Sequence, residues 1–319
     1  MSNRIELQDI LPDSYHGLRL DQALAQLFPE FSRGQLSKWI KAGAVTVNQQ
    51  QWRPKDIVRG GEVIHIRAEL IRQDEHWEAQ PIALDIVYED DDVIIINKPA
   101  DMVVHPGAGN HDGTLVNALL SHAPQLSSIP RAGIVHRIDK QTTGLLMVAK
   151  TLQAHNSLVA QLQARTVIRE YQAICQGVLT SGGRIDGAIG RHHIDRKRMA
   201  VTQTGKPAIT HYRVEQRFRG HTLIKCKLET GRTHQIRVHM AYIHHPLLGD
   251  PVYRGRLKTP KGMSESCRQI IQNFRRQALH AGVLGFNHPT SGEAVCWQID
   301  LPDDMQQLVS ALQQDTPNS

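Results

Sequence analysis

An uninterrupted apolar run, Leu145-Leu-Met-Val-Ala149, directly follows the breaker pair Thr143-Gly144, and it constrains the fold more than any other stretch. Apolar residues in unbroken sequence after a turn signal read as a buried strand. Such a strand needs neighbours. Strand-like runs recur at 84–88, 93–97, 171–175, 209–214, 223–228, 278–283 and 294–298. Helical periodicity appears between only some of them, at 151–165, 235–243 and 303–312. Many strands with few intervening helices predict an α+β fold built on a largely antiparallel, mixed sheet.

Immediately before the run lies Gly133-Ile-Val-His-Arg-Ile-Asp-Lys-Gln-Thr-Thr-Gly144, which places Asp139 between Arg137 and Lys140. The order loop, turn, buried strand sets this carboxylate at the mouth of the strand, and flanking cations favour its ionised form. An acid in that setting is a candidate working group. By itself it is equally a turn residue or a surface ion pair worth about 0–1 kcal/mol.

Ahead of the sheet region a smaller unit is legible. Leu20, Ala23, Leu24 and Leu27 recur at helical spacing until Pro29, and Ser32-Arg-Gly-Gln35 has the form of a capping box for a second helix. Leu36 and Ile40 would face inward, leaving Arg33, Lys38 and Lys41 outside, with Gly43 as the C-terminal stop. Val45-Thr-Val47 and Val63-Ile-His-Ile66 read as short strands. Polar, mixed-charge residues without a period follow, so the expected organisation is a small module at 15–75, a linker at 76–83 and a main domain at 84–315.

A net charge of +6 makes a polyanionic partner plausible, because Lys and Arg gain free energy by releasing the counterions condensed on phosphates. No apolar stretch is long enough for a signal peptide or a spanning helix, so a cytoplasmic protein without a membrane partner is expected. Cys175, Cys226, Cys267 and Cys296 are scattered without a C-x-x-C pair and read as buried, reduced thiols. The dense run Arg191-His-His-Ile-Asp-Arg-Lys-Arg198 is either a solvated loop or a phosphate-gripping one.

Further segments pair cations with turn-formers at strand ends: Asn97-Lys98-Pro99, Arg169-Glu170-Tyr171, Gly205-Lys-Pro-Ala208, and Gly231-Arg232-Thr233-His234-Gln235-Ile236-Arg237-Val-His239. In the last, Thr233 can cap a helix that projects Arg237 from a rigid element, ready for pairing with a carboxylate.

Together these segments resemble the RluA-type family of pseudouridine synthases, whose catalytic loop reads His-Arg-Leu-Asp followed by Thr-Ser-Gly-Leu. Here the loop is His136-Arg137-Ile138-Asp139, then Thr142-Thr143-Gly144-Leu145, and His245-Pro246-Leu-Leu-Gly249-Asp250 extends the likeness to about residues 15–310. Ile138 and Thr143 depart mildly from the pattern, conserving size and polarity. The module near the amino terminus resembles the S-four-like RNA-binding module, first seen in the fourth small-subunit ribosomal protein.

The resemblance implies a cofactor-independent isomerase, a monomer, acting on large-subunit ribosomal RNA or a pre-ribosomal particle, with the hairpin facing the small subunit as target. It implies that Asp139 is the catalytic acid, that Tyr171 packs on the flipped base, and that Arg237 partners the acid with Ile236 as its apolar neighbour. Arg137 would fill the gap left in the RNA stack. His136, Lys98, Arg232 and His234 in the matching loops, with Arg33 and Lys38 in the module, would contact RNA.

Two rival chemistries fit less well. The histidines His234, His239, His244 and His245 lack the H-E-x-x-H spacing and any carboxylate or thiol to complete a metal site. A glycosidase also works at C1′ but uses two cooperating carboxylates, whereas the loops here present one acid among cations.

Overall fold

The computed structural model describes residues 4–29, 31, 33–69, 77–107, 109–195, 198–255 and 259–316. The chain divides into two compact units, Met1–His76 and Trp77–Ser319.

In the first unit β1 (Arg4–Ile10), α1 (Leu20–Leu27), α2 (Arg33–Lys41), β2 (Val45–Val47) and β3 (Val63–Glu69) form a three-stranded sheet, ordered β1-β3-β2, with two helices. Its core is Leu20, Ala23 and Leu24 from α1, Leu36 and Ile40 from α2, and Val45, Val47, Ile64 and Ile66 from the strands. Gly43 ends α2 at φ 74°, a left-handed conformation that costs glycine nothing. The strand β1 escapes sequence reading because it is an edge strand whose Ile5 and Leu7 are only half-buried. Ser32 and its capping box fall outside the described residues.

The second unit begins with β4 (Ile86–Glu89), β5 (Val93–Lys98), α3 (Leu115–His122), β6 (Thr143–Ala149), α4 (Leu152–Ala164) and β7 (Ile168–Gln176). It continues with β8 (Gly183–Asp186), β9 (Ile189–Arg191), β10 (Met199–Val201), β11 (Ile209–Arg217), β12 (His221–Leu228) and α5 (Gln235–Tyr242). It closes with α6 (Glu265–Asn273), β13 (Leu279–Asn287), β14 (Ala294–Gln298) and α7 (Asp303–Asp315). Nine strands make one sheet, ordered β4-β5-β6-β13-β7-β12-β11-β8 with β14 branching from β13, while β9 and β10 form a separate hairpin.

Every pair in the large sheet is antiparallel except β6 with β13, which run parallel over His280↔Thr143 and Ala281↔Gly144. Beyond that contact β14 takes over the flank of β13, from Val283 onward, so the sheet parts where β6 leaves. Alternate residues of β5 and β6 enter opposite cores: Ile94, Ile96, Leu146 and Val148 pack with α3 and α5, whereas Val93, Ile95, Leu145 and Met147 pack with α4. Burial on both faces is why β6 is apolar without a break from Leu145 to Ala149.

Three readings need correction. The helix α3 was not anticipated, because its buried residues run from Leu115 to Leu120 without a polar face to mark a period. The segment from Trp77 is not a free linker: the Gln80 amide donates to Asn117 at 2.9 Å, the Asn117 side chain donates to the Glu78 carbonyl at 2.8 Å, and Trp77 packs edge-on against His105. Cys296 is exposed, unlike the other cysteines.

Candidate active site

Asp139 is held by what its loop touches. Ile134 forms a lone bridge to Val148, Ile138 is buried, and the Thr142 amide closes a turn onto the Asp139 carbonyl at 3.0 Å. Thr142 accepts from the Gln277 side chain at 2.9 Å, and Thr143 hydrogen-bonds His280 at 2.9 Å. Both bonds tie the loop to the stretch that enters β13, where the sheet parts. The carboxylate is left 17% exposed at the edge of a cavity.

Arg237 reaches it from the first turn of α5. Its Nη1 donates to Asp139 Oδ2 at 2.9 Å, while Nε and Nη2 donate to the two oxygens of Asp250 at 2.7 and 3.0 Å. Asp250 is fully buried and also accepts the amides of Val252 and Tyr253. Burial works against the Arg237 charge, but Asp250 and then Asp139 more than offset it and raise its pKa. The guanidinium is thus a fixed cation, pre-aimed by one carboxylate at the other.

The cap of α5 differs from expectation. His234, not Thr233, is the N-cap residue, in a left-handed conformation at φ 58°. Gln235 explains the shift: its Oε1 accepts from the Arg232 amide at 3.0 Å and the Thr230 hydroxyl at 2.7 Å, turning the chain before the helix starts. The His234 ring then lies with Nε2 3.9 Å from Asp139 Oδ1 and Nδ1 2.8 Å from the Tyr253 hydroxyl. Burial lowers the His234 pKa against the pull of Asp139.

A cavity collects the expected residues His136, Arg137, Asp139, Tyr171, Arg232, His234, Ile236 and Arg237. Tyr171 is 7% exposed, and burial raises its hydroxyl pKa. Arg137 is exposed and makes no ion pair or hydrogen bond among the described residues. His136 Nε2 accepts the Met147 amide at 3.0 Å, and burial, with Arg169, lowers its pKa to about 3, so the ring is a neutral brace for the loop. Arg232 lies half-buried, its Nε donating to the Pro207 carbonyl at 3.1 Å.

Lys98 does not contact the cavity. It is fully buried, and its ammonium donates to the carbonyls of Pro99, Met102 and Lys140. All its donors are used, so the expected RNA contact becomes a clamp on the residue after Asp139. Burial pulls its pKa down to about 7, against the pull of Asp139. Arg33 and Lys38 belong to the first unit; there Arg33 donates through Nε and Nη2 to buried Asp21 at 3.0 and 2.9 Å, and Lys38 is exposed.

Sequence reasoning missed Asp250, Tyr253 and the unusual state of Arg169. Nothing local announces Asp250 as the partner of Arg237; the only signal was the Gly249-Asp250 turn, where a side chain on Gly249 would come within 2.2 Å of the Arg276 carbonyl. The remaining histidines diverge: His239 bonds Thr210 and the Gly187 carbonyl, and His245 bonds the Gln176 carbonyl.

With this geometry in hand, comparison with known proteins is informative. A sequence model described as RNA pseudouridylate synthase matches residues 92–242, and one described as S4 domain matches residues 18–64. The chain is 55% identical over 317 residues to ribosomal large subunit pseudouridine synthase D of Vibrio vulnificus, spanning 99% of this chain and 97% of that protein. The protein of the same name from Escherichia coli is 52% identical over 316 residues, spanning 99% and 97%. Among solved structures, human RNA pseudouridylate synthase domain containing 1 has a TM-score of 0.53 at 26% identity, covering 75% of this chain and 99% of that one. Human RNA pseudouridylate synthase domain containing 4 has a TM-score of 0.57 at 24% identity, covering 72% and 92%, a likeness of fold.

Proposed function

Because this chain belongs to the RluA-type family of RNA pseudouridylate synthases, and is accordingly an isomerase, we propose that it converts uridines of large-subunit ribosomal RNA to pseudouridine. The target is the hairpin at the subunit interface, presented on free RNA or on a pre-ribosomal particle. The observation that carries this reading is the buried array Asp139–Arg237–Asp250 opening into a cavity that Tyr171 also lines.

The reaction breaks the bond from N1 to C1′, turns the uracil, joins C5 to C1′, and moves the C5 proton away as N1 gains one. A uridine inside a hairpin must first leave its stack, at a cost of a few kcal/mol. Arg137, exposed beside the cavity and unengaged among the described residues, fills the vacated gap in this reading. The Tyr171 ring packs on the extruded base, where stacking contributes about 1–3 kcal/mol and tolerates rotation of the uracil because it is weakly directional. Ile236, 3% exposed, lines the same space as the apolar neighbour of Arg237 against the base.

Asp139 works either as nucleophile or as base toward the sugar, and both roles need an ionised, aimed and water-poor carboxylate. Arg237 on Oδ2 leaves Oδ1 toward His234, so the two oxygens are inequivalent before substrate arrives. No cofactor or metal enters the scheme, and the enzyme acts as a monomer. The module at 15–75, with Arg33 and Lys38, captures RNA while 84–315 performs the chemistry.

Asp139→Asn is expected to abolish pseudouridine formation while RNA affinity stays within about threefold, the pattern of a group used only in the reaction. Wild-type turnover by that variant would refute the assignment. Carbodiimide mapping of ribosomal RNA from cells with and without the gene locates the target, and an identical map in both would overturn the substrate.

A further inference from the structure

Arg169 lies on β7 two residues before Tyr171, so both side chains leave one face of the strand and enter the same cavity. Arg169 is only 7% exposed, yet it pairs with no carboxylate among the described residues, and its buried Nε has no hydrogen-bond partner. Arg237, at 4% exposure, has two carboxylates. A buried cation without a counter-charge is a liability unless a ligand brings the anion.

Its position says which ligand. Arg169 lines both the catalytic cavity and an adjoining groove, so it stands at their junction. Its Nη1 rests against Gly231, where a Cβ would come within 2.8 Å. The groove continues along Arg131, Arg137, Arg165 and Arg232. The one acid among its lining residues, Glu229, is engaged by His211 at 2.6 Å and Arg165 at 3.7 Å. His105, also on the groove, keeps a buried Nε2 without a hydrogen-bond partner among the described residues. Burial lowers the Arg169 pKa, as expected for a guanidinium waiting for its anion.

We propose that Arg169 and this groove form a phosphodiester-binding subsite, which takes the linkage beside the nucleotide whose base enters the cavity. The planar guanidinium fork matches two phosphate oxygens, and the arginines beyond it carry the neighbouring linkages. This rests on the reading that the protein modifies RNA. The phosphate neutralises the buried charge as the base enters the cavity.

The test uses the full chain and hairpin RNAs carrying a single methylphosphonate at successive linkages around the target uridine. One linkage is expected to weaken wild-type binding about tenfold or more, and Arg169→Met to lose as much on unmodified RNA. The two losses should not add: at that linkage Arg169→Met should be indifferent to the methylphosphonate. The variant should also melt no lower than wild type, because it removes an unpaired buried charge. Additive losses at every linkage, or no sensitive linkage in the wild type, would overturn the proposal. So would inorganic phosphate raising the wild-type melting temperature without any linkage effect, which would make the subsite a free-anion pocket. Wild-type protein that forms no pseudouridine on unmodified hairpin would instead sink the functional reading itself.

Discussion

Arg237 carries the site at the scale of single residues, because among the described residues it alone bonds both the buried Asp250 and the cavity-facing Asp139. Its guanidinium is spent on Asp250 through Nε and Nη2, leaving Nη1 for Asp139. Removing Asp250 should free the arginine to rotate and leave only Asp139 to balance its buried charge. We expect Asp250→Ala to lower stability by about 3–5 kcal/mol, as for a broken buried pair. The conservative Asp250→Asn should fold, keep RNA affinity within about twofold and lose at least about tenfold in kcat, because the acid is no longer aimed. Equal losses in kcat and affinity would show that Asp250 acts on RNA binding instead.

The decisive element is the short parallel contact between β6 and β13. Gly144 sits in it at φ 114°, and an added Cβ would lie 2.3 Å from the Ala281 carbonyl oxygen. A glycine is therefore required twice over, by backbone conformation and by close approach. Gly144→Ala should destabilise the protein by about 1–3 kcal/mol through overpacking. It should also depress turnover, because Asp139 lies just upstream in the loop that β6 anchors. Gly292→Ala, also at positive φ but with nothing within 4 Å, should cost less and leave turnover intact. A melting temperature unchanged by Gly144→Ala would show that the sheet does not depend on this contact.

For the whole molecule, each unit has its own core, so residues 77–319 alone should fold, retain catalysis on a hairpin and show a raised KM for ribosomal RNA. Insoluble protein from that deletion would mean that the first unit is structural. Acid sensitivity is also a global property. Burial lowers His105, His221 and His280 to about 4 and His136 to about 3, so each is neutral when folded and takes up a proton more readily when unfolded. Their contribution to stability is complete above about 6.5 and lost as pH falls toward about 4, so melting temperature should decline across that window. A flat profile from 6.5 to 4.5 would contradict these placements. The sequence alone determined most strands of the large sheet, the helix 235–243 to within a residue, and the segments that carry Asp139, Tyr171 and Arg237, because local pattern reports what neighbours along the chain demand. Tertiary structure alone decided that Lys98 clamps the Lys140 carbonyl, that Asp250 aims Arg237, and that Arg169 is buried with no carboxylate partner among the described residues. Those outcomes depend on charges brought together by closure of the sheet, as with Asp139 and Arg237, 98 residues apart, and no local period encodes such a meeting.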